Sequence, residues 1–221
     1  MPNGYVIYDG PSLHNGERII MIALTSKSSN SKTGAMMQTY IITPHNPMYA
    51  SKHGLDDANC GNCPHRGIPT DDPNRKQAKD RKCYVKLFQG VYQVWKQWEK
   101  GAYPMLQGHD ALATLGQDKD VRIGTYGDGG LVPSYICDSL ISKARKHTAY
   151  CHQYDNPNSS FDPMVYMVSA DDLPTAQRHW SLGNRTFRVI QDVKEVVKDK
   201  EILCPASKEM GRRVQCSSCM L

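Results

Sequence analysis

Between residues 57 and 92 the chain reads DANCGNCPHRG, then a long stretch almost without apolar side chains, then CYVKLFQGVY. Cys60, Cys63 and Cys83 frame that stretch in the pattern C-x2-C-x19-C. A buried structural thiol normally sits inside an apolar run, and these three do not. A polar, Pro- and Gly-containing segment of this length is uncommon inside a compact domain unless it carries function or is clamped. A metal centre held by thiolates would do the clamping, so this segment constrains the fold more than any helix or strand.

The rest of the chain decides between metal ligation and disulfide pairing. There are eight cysteines in 221 residues. The opening MPNGYVIYDG lacks both a charged and an apolar segment of the kind that directs secretion. The expected location is therefore the cytoplasm, where thiols stay reduced and clustered cysteines are more often metal ligands. No run approaches the roughly 18 apolar residues of a membrane span, so no membrane partner is expected. The formal net charge is +5, with the basic residues dispersed. That balance permits contact with nucleic acid or a phosphorylated small molecule without requiring it.

Periodicity divides the chain into two parts. Residues 1–45 read as an antiparallel β segment packed on the main domain: YVIYDG and RIIMIALT flank a turn, and AMMQTYIIT follows the polar loop SKSSNSKTG. Residues 46–221 read as a cysteine-rich α/β domain. Residues 46–83 look irregular, and 84–100 read as one amphipathic helix with Val85, Phe88, Tyr92 and Trp95 in its stripe. From 121 the pattern alternates: strand VRIGTY, glycine-rich turn GDGG, a helix opened by Pro133, strand TAYCHQY, strand PMVYMVSADD, helix LPTAQRHWSLG, strand RTFRVIQD and a last strand EILCPAS. Such alternation predicts an α/β fold, either a partial (βα) barrel or an open parallel sheet. In both, function sits at the C-terminal ends of the strands.

The motif-bearing residues fall at those ends. Cys204, Cys216 and Cys219 form a second trio, C-x11-C-x2-C. A C-x2-C turn points two sulfurs the same way, which suits a shared ion or cluster. Each trio is one short of the four ligands of a closed zinc site, and His65 is a candidate fourth for the first. Three readings follow: iron–sulfur clusters with one iron open or bound by another ligand, zinc sites with shared ligands, or thiols that are simply buried. Cys137 and Cys151, in a helix and a strand, are expected to be core residues. Asp128 in YGDGG could accept from a substrate ammonium or hydroxyl, or serve a helix N-terminus. His152 faces a pocket if its strand face is the inner one. Of Asp171 and Asp172, one is expected to cap the helix beginning at Leu173-Pro174.

The segments CGNCPHR, CYV and VRIGTYGDGGLVPSYICDSLISKARKHTAYCHQY together resemble uncharacterised phage and prophage proteins. Those in turn look like a reduced radical-SAM barrel of the gene-product-88 type. The resemblance implies a four-iron (4Fe-4S) iron–sulfur cluster on Cys60, Cys63 and Cys83, its open iron chelating S-adenosylmethionine. Gly127, Asp128, Gly129 and Gly130 would occupy the place of the glycine-rich segment that contacts the methionine. The expected function is an iron–sulfur enzyme acting on a small molecule or nucleotide, with Asp128 and His152 as candidate catalytic groups. The alternative is a zinc-binding, non-catalytic nucleic-acid-binding protein of phage replication or regulation.

Overall fold

The computed structural model describes residues 2–26, 33–211 and 214–219. Seven strands form one mixed sheet in sequence order: β1 (Gly4–Pro11), β2 (Arg18–Leu24), β3 (Met37–Ile42), β4 (Asp120–Tyr126), β5 (Lys146–Cys151), β6 (Met167–Ala170) and β7 (Thr186–Arg188). The first three pair antiparallel, as the short turn between β1 and β2 dictates. From β3 onward every pair is parallel. The sheet is open, with β1 and β7 at its edges. The N-terminal strands and the parallel strands are thus continuous through the β3–β4 pair. Most of the SKSSNSKTG loop lies outside the described residues.

Period-two alternation sorts side chains to two cores. Ile19, Met21 and Ala23 of β2 face one side with Val121, Ile123, Ala149 and Cys151. Against them pack α4 (His109–Gly116) and α5 (Ser134–Ile141), through Leu112, Leu115, Ile136, Cys137 and Leu140. Ile20 and Ile22 point the other way, onto Leu87, Val91, Val94 and Trp95. Cys137 and Cys151 are buried core residues, as their positions in the sequence predict.

Several elements depart from expectation. The helix foreseen over 84–100 is a kinked turn, Leu87–Val91, followed by α3 (Tyr92–Glu99). Non-helical Gln89 rotates the stripe, so Leu87 is buried while Phe88 stands 58% exposed. Residues 46–83 are not irregular throughout: they hold α1 (Pro47–His53), α2 (Asp57–Cys60) and a single helical turn at Pro64–Arg66. The strand expected at 201–207 does not form. Ile202 is exposed there, and Glu201 meets the edge strand β7 through its side chain, by pairing with Arg188, rather than through a backbone ladder. The connection from β5 to β6 carries no helix, whereas α6 (Leu173–Ser181) bridges β6 and β7. Of the two aspartates from which one cap was expected, Asp172 is the one that caps α6, through Thr175 N. No helix among the described residues is long and apolar enough to cross a membrane.

α4 and α5 approach closely at Gly116, where a Cβ would lie 1.9 Å from the Leu140 carbonyl oxygen of α5. Gly116→Ala should therefore cost about 1–3 kcal/mol by forcing α4 off α5, despite alanine's better helix propensity. Urea denaturation checks it, with a lowered midpoint expected.

Candidate metal centre at the strand ends

The Cys60–Cys63 loop is built by local capping and then docked. Asn46 caps α1 through Met48 N and Tyr49 N, and Gly54 ends it in the left-handed region. α2 is a single turn that ends on Cys60. Gly61 follows at φ 51°, where a Cβ would strike the Gln153 side chain at 2.3 Å. That glycine is required twice, by its backbone and by the approach of Gln153. Gln153 Nε2 donates to the Cys60 carbonyl at 3.0 Å, and its Oε1 accepts from Asn62 N at 3.2 Å. One side chain just beyond β5 therefore fixes both sides of the cysteine turn.

Arg66 holds the same loop from below. Its guanidinium donates to the Gly54 and Gly61 carbonyls and pairs with Asp56 and Asp57. Asp56 is nearly fully buried, so the pair is not a surface ornament. Burial pushes the Asp56 carboxyl up from its ordinary range, and Arg66 pulls it part of the way back. The clamp foreseen as a metal is supplied, in large part, by the chain itself.

Cys83 arrives from the far end of the polar segment. Its backbone N–H and that of Lys82 both donate to the His65 carbonyl, at 3.0 and 3.2 Å. The backbone N–H of His65 in turn eases ionisation of the Cys63 thiol, against the burial that opposes it. The three thiols are close enough for Cys63 and Cys83 to raise the cost of ionising Cys60, after burial and Asp56. Burial pushes Cys63 to about 12, with Cys83, Asp128 and Asp171 adding to it. The local protein charge does not stabilise thiolates here; a bound cation would.

Asp128 lies at the end of β4, buried. One carboxylate oxygen accepts from Gly130 N at 2.9 Å and the other from His152 N at 2.6 Å. Its own N–H donates to the Asn59 carbonyl at 2.8 Å, tying β4 to α2. Burial raises its carboxyl, and hydrogen bonds from the Cys151 thiol and from those two amides oppose the rise. Both oxygens are thus engaged by the chain, and the residue's evident role is to fix strand ends. The glycines around it serve the same packing. A Cβ on Gly129 would meet Tyr166 Oη at 2.7 Å, on Gly130 Ser159 Oγ at 2.6 Å, and on Gly127 the Ile41 carbonyl at 2.6 Å. Gly129 and Gly130 are buried in this junction, while Gly127 is half-buried.

Beside the thiols stand groups that the sequence did not bring together. Asp171, at the end of β6, meets His65 Nε2 at 2.7 Å, and His152 Nε2 lies 3.6 Å from the same oxygen. The two imidazoles meet edge to face at 5.5 Å. Among the described residues, His65, His152 and Asp171 form the group whose ligand atoms all lie within 4.8 Å of one another. Their 106-residue separation left no local signal, although His65 beside C-x2-C was already a candidate ligand.

The second cysteine group is elsewhere. Cys204 and Cys216 line a cavity of about 590 Å³ with Thr148, Tyr150, Phe187 and Arg188. Thr148 and Tyr150 alternate with Ala149 and Cys151 along β5, so this cavity lies on the face opposite α5. The Cys219 side chain lies outside the described ones.

No protein-family model, no curated protein and no solved structure matches the chain.

Two substitutions test the docking. Asp128→Asn places an amide donor against one of two backbone N–H groups and should cost about 1–3 kcal/mol in chemical denaturation. Arg66→Ala leaves Asp56 buried without its partner and should cost about 3 kcal/mol at neutral pH. Because the folded Asp56 carboxyl is raised, protonation favours the folded state. The Arg66→Ala deficit should therefore shrink as pH falls through that raised value. Denaturation midpoints across an acid pH series, against the parent, give the readout.

Proposed function

We propose that this chain is an iron–sulfur protein whose cluster is held by Cys60, Cys63 and Cys83 at the C-terminal ends of the parallel strands. The observation that carries the reading is the convergence of three thiols from both ends of a polar segment onto one docked loop. The donor set favours a cluster over a single zinc. Thiolates around one tetrahedral zinc, with bonds of about 2.3 Å, stand roughly 3.8 Å apart. These three do not form a group within 4.8 Å of one another. A cluster presents its irons at separate corners and spreads its thiolates more widely.

When bound, such a cluster supplies reversible one-electron transfer, with a potential tuned by hydrogen bonds to its sulfurs and by burial. The chain's own residues contribute the rest. The His65 backbone N–H, which eases ionisation of Cys63, is an influence of that tuning kind. Gln153 and Arg66 hold the loop, and Asp128 holds the His152 backbone at the mouth. Partly exposed His152 and Asp171 present donors and acceptors there to a polar small molecule or nucleotide. The reading supports an iron–sulfur-dependent enzyme more than a zinc module for nucleic acid.

Anaerobic reconstitution with iron and sulfide tests this. The parent should take up about four irons per cluster and show broad visible absorbance that bleaches on reduction. Cys60→Ser, Cys63→Ser and Cys83→Ser should each lose most of that absorbance, while Cys137→Ala should keep it. A colourless parent carrying only zinc overturns the reading.

A further inference from the structure

We propose that His65 is the fourth protein ligand of this centre, bound through Nδ1 and oriented by Asp171. The inference rests on the cluster reading above and deepens it by naming the ligand which that reading leaves open.

The tautomer is set by the structure. His65 Nε2 lies 2.7 Å from Asp171 Oδ1, and an ionised carboxylate only accepts. Nε2 therefore carries the hydrogen, and the lone pair of a neutral ring sits on Nδ1. Nδ1 is buried and meets no hydrogen-bond partner among the described residues. A buried polar atom without a partner is rare enough to require an explanation. Double protonation would not supply one, since it would bury an N–H against nothing instead.

The position of the ring completes the argument. Nδ1 is the ring nitrogen on the backbone side. The His65 backbone lies two residues after Cys63, and its carbonyl accepts from Cys83 N. The ring's unsatisfied nitrogen is thus buried on a residue that the chain holds between Cys63 and Cys83, and its satisfied nitrogen faces the carboxylate. A histidine that donates one N–H to a carboxylate and offers the other nitrogen outward is the arrangement by which proteins orient imidazole ligands to metals. Asp171 is held for this at the end of β6, immediately before the Asp172 cap of α6. It acts through His65 and is a positioning residue. Four protein ligands leave no open iron, which predicts electron transfer rather than substrate chelation at the cluster.

The experiment uses the full chain, grown with nitrogen-15 histidine, loaded anaerobically with iron and sulfide and then reduced. Hyperfine-resolved electron paramagnetic resonance should show one strongly coupled histidine nitrogen. His65→Ala should abolish that coupling and His152→Ala should retain it. His65→Cys should reload without the coupling and at a lower reduction potential, since replacing imidazole by thiolate lowers it. Asp171→Asn should keep the coupling but raise the potential, because a neutral acceptor makes the imidazole less basic. The labelled parent needs no substitution, so a variant that fails to fold leaves the question answerable. A loaded cluster without histidine coupling, or coupling that persists in His65→Ala, overturns this inference alone. A folded parent that binds no iron overturns this inference and the cluster reading together.

Discussion

The buried carboxylate of Asp128 is the contact on which the site depends. It is held by donors from the chain: Gly130 N, His152 N and the Cys151 thiol. A buried carboxylate is tolerated only when its lone pairs are filled. The end of β4, the turn after it and the end of β5 are therefore held in one arrangement. Through its own N–H on Asn59 the same residue fixes α2, which ends on Cys60. Glycine at 127, 129 and 130 follows from the closeness of this junction rather than from any ligand.

The cysteine loop is preorganised by polar side chains. Gln153 reaches both sides of the Cys60–Cys63 turn, and Arg66 fills the space beneath it with paired charge. A loop ordered in advance spends less of its binding energy on ordering when an ion or cluster arrives. The thiols, by contrast, are electrostatically unready, since burial and the neighbouring carboxylates oppose their ionisation. Rigid geometry with unfavourable thiolate charge suits a site completed by positive charge from outside the chain.

The two sheet faces are used differently. One packs α4 and α5 and is filled by aliphatic side chains. The other is covered by α3 over the antiparallel strands, while the C-terminal segment lies over β5–β7 and encloses the second cavity. Cys204 and Cys216 belong to that cavity, so the two cysteine groups serve separate places in the molecule.

Local burial patterns made much of the fold legible. Alternation identified β1–β3, the strand–turn–helix order after residue 120 predicted parallel pairing, and Asp172 with Pro174 marked the start of α6. The apolar surroundings of Cys137 and Cys151 placed them in the core, and the polar setting of Cys60, Cys63 and Cys83 set them apart. Such signals survive in sequence because each residue's burial is decided by neighbours a few positions away. The turn at Gln89, the missing strand at 201–207, the Arg66 clamp and the His65–Asp171 contact carry no such signal. They depend on which strand ends meet and which polar groups must then find partners, and that was settled only when the sheet closed distances of about a hundred residues along the chain.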